Sequence, residues 1–378
     1  MSERRFIPVA EPVIGEPELA YVTDAVRSSW VSSKGPYVEV FEAAMARLCG
    51  TEYAIAVSSG TTALHVALAA LDIGPGDEVI VPTFTFVATA STVRHVGATP
   101  VFADADPGHW CIDVEDIEHR ITPRTKAIIP VHIYGHPADM DAIRSIAQRH
   151  GLRVIEDAAE ALCATYKGQP TGGLSDMATF SFFGNKLITT GEGGMVVTND
   201  ATLAERLRRL REHGQDPQRR YWYPEVGFNF RLTNLQAAVG VGQVEQVSTF
   251  LERKQEIAQR YREGLSGIPG IRFQQTAPWA TNSWWLFTIL IDEEYGLSRD
   301  ALAAQLLRAD IDCRRVFYPI HTMPPYRTGE HFPVAERLGE IGLNLPSGAG
   351  LSATDQGRVV DRIGELAGAR VGVPSGRA

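Results

Sequence analysis

Between residues 52 and 198 short apolar runs alternate with stretches of helical periodicity, and that alternation leaves few folds open. Strands are expected at 52–57, 78–81, 100–104, 127–131, 153–157, 177–183 and 194–198. Helices are expected between them, at 63–71, 84–95, 114–121 and 140–150. The strand runs are nearly continuous in apolar residues, which suits strands covered on both faces and so a mainly parallel sheet. An α/β architecture with helices on both sides of that sheet follows. In such sheets ligands bind beyond the carboxyl ends of the strands. Residues placed there are therefore the first candidates for chemistry.

The flanking regions read differently. Helices are expected near 16–28 and 37–49. Residues 213–231 are polar, aromatic and arginine-rich without periodicity, and a stretch of that length is usually functional or disordered. Its aromatic content argues against disorder. A long helical run is expected over 235–265, with a domain boundary inside it: 1–250 as a large domain and 251–378 as a smaller α+β domain. The smaller domain should hold strands near 284–291 and 313–317 and helices near 299–309 and 354–366.

Composition excludes several classes. A formal net charge of -9, with no long basic run, disfavours nucleic acid as a partner. No apolar run approaches a membrane span, and the N-terminus has no secretory apolar core, so a cytoplasmic location is expected. Cys49, Cys111, Cys163 and Cys313 are scattered without zinc or iron–sulfur spacing. His132 and His136 are four apart but straddle Tyr134-Gly135 and precede Pro137, so helical ligand geometry is not expected there, and no metal is.

Four features fall at strand ends or helix starts of this one sheet. Lys186 follows the strand 177–183 and precedes a glycine-rich turn. Burial lowers a lysine pKa, and a neutral amine attacks carbonyls. Asp157 ends the strand 153–157, where it can hold a protonated pyridine nitrogen. Ser58-Ser59-Gly60-Thr61-Thr62 lies between a strand and a buried helix, an arrangement that receives phosphate. Thr85-Phe86 offers a flat group. Taken singly, these are also a snorkelling lysine, a helix cap and a loop aromatic. Together they suit pyridoxal phosphate, which needs a lysine, a carboxylate, a phosphate cup and a ring partner.

These residues bring a known family into view. The chain resembles the DegT/DnrJ/EryC1/StrS sugar aminotransferases over about residues 6–370. The resemblance is carried by Ser58–Leu64, Gly76–Pro82, Glu156-Asp157-Ala158-Ala159-Glu160, Ser181-Phe182-Phe183-Gly184-Asn185-Lys186 and Gly227-Phe228-Asn229-Phe230-Arg231. It implies the type I aminotransferase fold and pyridoxal phosphate, with pyridoxamine phosphate as its intermediate form. It also implies L-glutamate as amino donor, a keto-sugar nucleotide as acceptor, and a homodimer or higher homo-oligomer with shared sites. Lys186 would be the Schiff-base lysine and proton shuttle, and Asp157 the partner of the pyridine nitrogen. Thr61, Thr62 and Ser181 would lie at or near the phosphate, and Phe86 against the ring. Glu160 would lie near the cofactor hydroxyl, and Asn229 would reach the phosphate of the neighbouring subunit. Tyr318 and His321 match a sugar-site segment, with packing as the competing reading.

Glu160, the segment around His213-Gly214-Gln215 and the run 131–137 resemble the branch that aminates GDP-4-keto-6-deoxy-D-mannose. Leu162-Cys163 departs from that pattern. Amination of another 3- or 4-keto sugar nucleotide stays open. A pyridoxamine-dependent dehydratase on this fold would carry histidine in place of Lys186. A non-catalytic regulator would need a DNA-binding segment, and none is visible.

Overall fold

A computed structural model describes residues 6–368. Its centre is a seven-stranded sheet. The strands, in chain order, are β1 (Tyr53–Val57), β2 (Glu78–Pro82), β3 (Thr99–Ala103), β4 (Thr125–Ile128) and β5 (Arg153–Asp157). A short hairpin, β6 (Thr165–Tyr166) and β7 (Gln169–Pro170), precedes β8 (Met177–Ser181) and β9 (Gly194–Thr198). The spatial order is β1-β9-β8-β5-β4-β2-β3. Pairings from β8 through β3 are parallel, and β9 alone runs against its two neighbours. The expected mainly parallel α/β sheet is present.

Why these segments form strands is visible in their burial. Every residue of β2 and of β9 is buried, as it must be where helices cover both faces. The covering helices include α1 (Glu16–Arg27), α2 (Pro36–Cys49), α3 (Gly60–Ala70), α4 (Ala88–His95), α5 (Val114–His119), α6 (Met140–His150), α7 (Ala201–Arg211) and α8 (Asn234–Glu245). The α3 run, with Ala63, Leu64, Val66, Ala67 and Leu68 buried, is apolar around most of its circumference. Burial of such a side chain stabilises by roughly 1.5–3 kcal/mol for the larger residues.

Several expected elements are shorter or shifted at their ends, the strand expected at 177–183 stopping at Ser181 and that at 284–291 starting at Phe287, and two differ in kind. Residues 84–87 are a loop, and the helix starts at Ala88. Tertiary bonds hold this backbone: the Ile320 N–H donates to Thr83 O (2.8 Å), and the Thr83 N–H donates to Ala103 O (2.9 Å). The run 235–265 is two helices, α8 and α9 (Val247–Leu265), with Gln246 between them. Gln246 Nε2 donates back to Gly242 O (3.0 Å) and across to Glu18 Oε1 (2.7 Å), so contact with α1 fixes the break.

Beyond α9 the chain builds a second, four-stranded antiparallel sheet. Its strands are β10 (Ile271–Phe273), β12 (Phe287–Ile291), β13 (Arg314–Arg315) and β14 (Gly342–Leu345), ordered β10-β12-β14-β13. β11 (Ala280–Thr281) instead joins the β6–β7 hairpin. Helices α10 (Arg299–Leu307), α11 (Pro333–Ile341) and α12 (Ala353–Gly368) accompany this part. Val247 and Phe250 of α9 pack in one apolar cluster with Phe41 and Phe182. Ile257, Tyr261 and Leu265 pack in another with Phe287 and Leu343. Ile7, from the start of the described chain, joins this latter cluster.

Candidate active site

Four strand ends converge on one place. β1 leads through Ser58 and Ser59 into α3; β5 ends in Asp157; β8 ends in Ser181, five residues before Lys186; and the loop after β2 carries Thr85 and Phe86. Together they border a cavity of about 450 Å³, lined by Thr61, Phe86, Asp157, Glu160, Ser181 and Lys186. The second sheet closes it with Arg314, Arg315 and Asn344, and the loops beside β12 and β13 add Trp285 and Phe317.

The turn that carries Lys186 is tied to one carbonyl. Phe182 O accepts from the Thr190 N–H (3.0 Å) and from Thr189 Oγ1 (3.0 Å), while the Phe182 N–H donates to Gly193 O (2.9 Å). Gly194 then passes so close to the start of α3 that a Cβ there would lie 2.3 Å from Ser59 O. Only glycine permits that approach, and the approach brings the lysine turn beside the helix N-terminus. Lys186 Nζ lies 3.7 Å from the centroid of the Trp285 indole. The residue is partly exposed, but it opens onto the cavity. Burial lowers its pKa, opposed by the nearby Glu160 and Asp157 carboxylates. The amine is thereby pushed toward its nucleophilic neutral form.

Asp157 is 5% exposed. Burial raises its pKa, and the two bonds it accepts, from Thr89 Oγ1 (2.8 Å) and the Ala159 N–H (3.2 Å), act in the opposite sense. Glu160, also buried, accepts from the Tyr134 N–H (2.7 Å). Its pKa is raised, chiefly by burial, with the Lys186 amine as the opposing influence. Behind Asp157 stands a buried polar frame. His132 Nε2 meets Glu156 Oε2 at 3.0 Å, and His132 Nδ1 accepts from the Ala138 N–H (3.0 Å). Glu156 also accepts from the Gly172 and Leu174 N–H groups and Ser175 Oγ. A buried carboxylate this well provided with donors pins the end of β5 in place.

At the α3 N-terminus, Ser59 Oγ accepts from the Thr62 N–H (3.1 Å), and Thr62 Oγ1 accepts from the Ser59 N–H (2.9 Å). This reciprocal cap is worth about 1 kcal/mol. It turns Thr62 into the helix start, so of the threonine pair only Thr61 lines the cavity.

Three other expected residues stand apart from this cavity within the chain. Asn229 is exposed, and its Oδ1 accepts from Arg231 Nε (3.1 Å) and Nη2 (2.9 Å). Tyr318 and His321 line a separate surface groove. His321 is held between Thr83 Oγ1 (2.7 Å) and Glu336 Oε1 (3.1 Å). Conversely, sequence reasoning missed Trp285, Arg314, Phe317, Asn344 and Thr89. The adjacent pairs Trp284-Trp285 and Arg314-Arg315 were the available signal, unusual for strands of a small sheet.

His109, Cys111 and His136 bring ligand atoms within 4.8 Å of one another. The geometry does not suit an ion. His136 Nδ1 is bonded to Pro137 O (2.8 Å), and its Nε2 accepts from the Ala277 N–H (3.0 Å). The His109 and His136 rings stack at 10°, so their in-plane lone pairs do not converge.

A lysine amine, a buried carboxylate opposite it and a helix N-terminus at the carboxyl ends of a parallel sheet form the donor set that pyridoxal phosphate requires. The sequence profile of the DegT/DnrJ/EryC1/StrS aminotransferase family matches residues 12–364. The chain belongs to this family. It is an aminotransferase that uses pyridoxal phosphate. It is 47% identical to a GDP-perosamine synthase of Caulobacter vibrioides, over 97% of this chain and all of that one. Among solved structures, S. venezuelae DesV, in complex with a ketimine intermediate, aligns with a TM-score of 0.88 at 40% identity, covering 93% of this chain and 94% of that one. The sugar aminotransferase Spr1654 of Streptococcus pneumoniae, described as putative and solved in its PLP-form, aligns with a TM-score of 0.90 at 28% identity, covering 97% and 99%. Among the described residues no helix is long and apolar enough to cross a membrane.

Proposed function

We propose that the protein transfers the amino group of L-glutamate to GDP-4-keto-6-deoxy-D-mannose, giving GDP-perosamine. The near end-to-end similarity to the Caulobacter GDP-perosamine synthase carries this reading. Pyridoxal phosphate, when bound, supplies the electron sink for the carbon that loses and regains a proton. The chain supplies the rest. Lys186 Nζ would hold the cofactor and, when free, would carry the proton. Asp157, held by Thr89, keeps the ring nitrogen protonated. Thr61, Ser181 and the free N–H groups at the start of α3 receive the phosphate. Phe86 and Glu160 line the same cavity and would face the cofactor's ring and its hydroxyl.

The test is a panel of 3- and 4-keto sugar nucleotides offered with L-glutamate, the products identified by mass and NMR. The GDP-4-keto-6-deoxy sugar should turn over with the highest kcat/KM. A dTDP or UDP sugar turned over faster would sink the substrate assignment while leaving the aminotransferase.

We further propose a homodimer in which Asn229 completes the neighbouring subunit's phosphate site. The residue is exposed and stands outside the cavity of its own chain. Tyr221, Trp222 and Tyr223 on the same segment are exposed too, an apolar surface of the kind partners cover. Mixing the separately inactive Lys186→Ala and Asn229→Ala proteins should restore about a quarter of wild-type activity through hybrid dimers. No recovery after verified subunit exchange would exclude the shared site.

A further inference from the structure

One buried cation lies outside the chemistry assigned so far. Lys254, on α9, is 4% exposed. Its Nζ donates to Trp285 O (2.7 Å) and to Ser347 O. These two carbonyls stand at the root of the second sheet, just beyond the Phe287–Leu345 register pair where β12 begins and β14 ends. Ser347 Oγ also accepts from the Phe287 N–H (3.0 Å), and Tyr261 Oη, two turns along α9, donates to Pro346 O (2.7 Å). One face of α9 thus grips both chain crossings. The side chain of the residue gripped by Lys254 is the indole that lies under the Lys186 amine. The indole is fixed at its other end, where Trp285 Nε1 donates to Asn185 O (2.9 Å), beside Lys186 in sequence. Lys254 and Lys186 also border one small cavity, with Asn185 and Leu187.

Among the described residues no carboxylate is bonded to Lys254, and burial lowers its pKa to about 7. A buried ammonium without a counter-ion is a poor device for stability, because its desolvation is only partly offset by two carbonyls. It is a good device for geometry, because it joins two strands' ends at one atom.

We propose that Lys254 is a positioning residue for the Lys186 amine, acting through the Trp285 main chain and indole. The inference rests on the reading of Lys186 as the cofactor lysine. Lys254→Met keeps the unbranched chain, one atom shorter, and removes the charge and its two hydrogen bonds. It should leave the thermal midpoint unchanged or higher, lower kcat on the order of 10- to 100-fold with KM little changed, and shift the visible absorbance of the bound cofactor. Lys254→Arg should recover part of the loss. In a Trp285→Phe background the same Lys254→Met change should cost less, because the group it acts through is altered. An unchanged kcat and spectrum, equal losses in both backgrounds, or failure of Lys254→Met to fold would each overturn the proposal. If the Lys186→Ala protein keeps the wild-type absorbance, the reading of Lys186 itself has failed, a result distinct from those above.

Discussion

Lys186→Ala protein should fold, lose the visible absorbance of lysine-bound cofactor, and lose turnover by at least about 10⁴-fold. The expectation rests on what surrounds the amine. Asp157 and Glu160 are both pushed toward their neutral forms by burial, and the lysine toward its own. Among the described residues no other lysine lines the cavity, and the remaining cations there, Arg314 and Arg315, are guanidiniums that cannot give up a proton. A substitute amine is therefore lacking. Lys186→Arg should fail almost as completely, because it keeps charge and length but supplies no free amine. Stability should change little, since the side chain makes a ring contact with Trp285 rather than filling the core. The measurements are purified-protein spectra and single-turnover rates with glutamate. Turnover within tenfold of wild type would remove the assignment.

That the lysine could be found from sequence follows from the kind of information that placed it. Asp157 ends β5, and Lys186 follows β8 by five residues, after strands whose apolar runs are local; β9 and α6 match their expected bounds to the residue. Local pattern also gave the α3 cap, but it could not say which way each threonine turns. Thr62 closes the cap and Thr61 faces the cavity, a choice made by helix phase within a single turn. The far wall was hidden for another reason. Trp285, Arg314 and Asn344 reach the cavity through pairings of β12, β13 and β14, and nothing near them in sequence encodes where that sheet docks. Phe84 and Phe86 show the limit of periodicity. A run that reads as helix became a loop because Thr83 is bonded to β3 and to the segment at Ile320, leaving Phe84 buried and Phe86 exposed.

Asp157→Asn should separate catalysis from stability. With cofactor present, the ring nitrogen loses the carboxylate that keeps it protonated, and kcat should fall roughly 10²- to 10³-fold. The cofactor-free protein should behave in the opposite way. Burial raises the Asp157 pKa above its ordinary 3.8, so the folded chain holds this proton more tightly than the unfolded chain does. Ionising it costs stability, and the cost grows as pH rises from the unfolded value to the folded one and is constant above it. It is absent well below the unfolded value. Asparagine carries no such cost. The cofactor-free variant should therefore melt at least as high as wild type at about pH 8, and the gap should narrow as pH falls below the folded value toward the ordinary 3.8. Thr89 can still donate to the amide oxygen, so the end of β5 keeps one of its bonds. Bound cofactor should reverse the order, since its protonated ring nitrogen stabilises the wild-type carboxylate and gains nothing from the amide. Melting curves of both proteins, with and without pyridoxal phosphate across this pH range, decide it. A variant that is less stable than wild type without cofactor at about pH 8 would mean that Asp157 is held for the fold, through Thr89 and Ala159, rather than for the ring nitrogen.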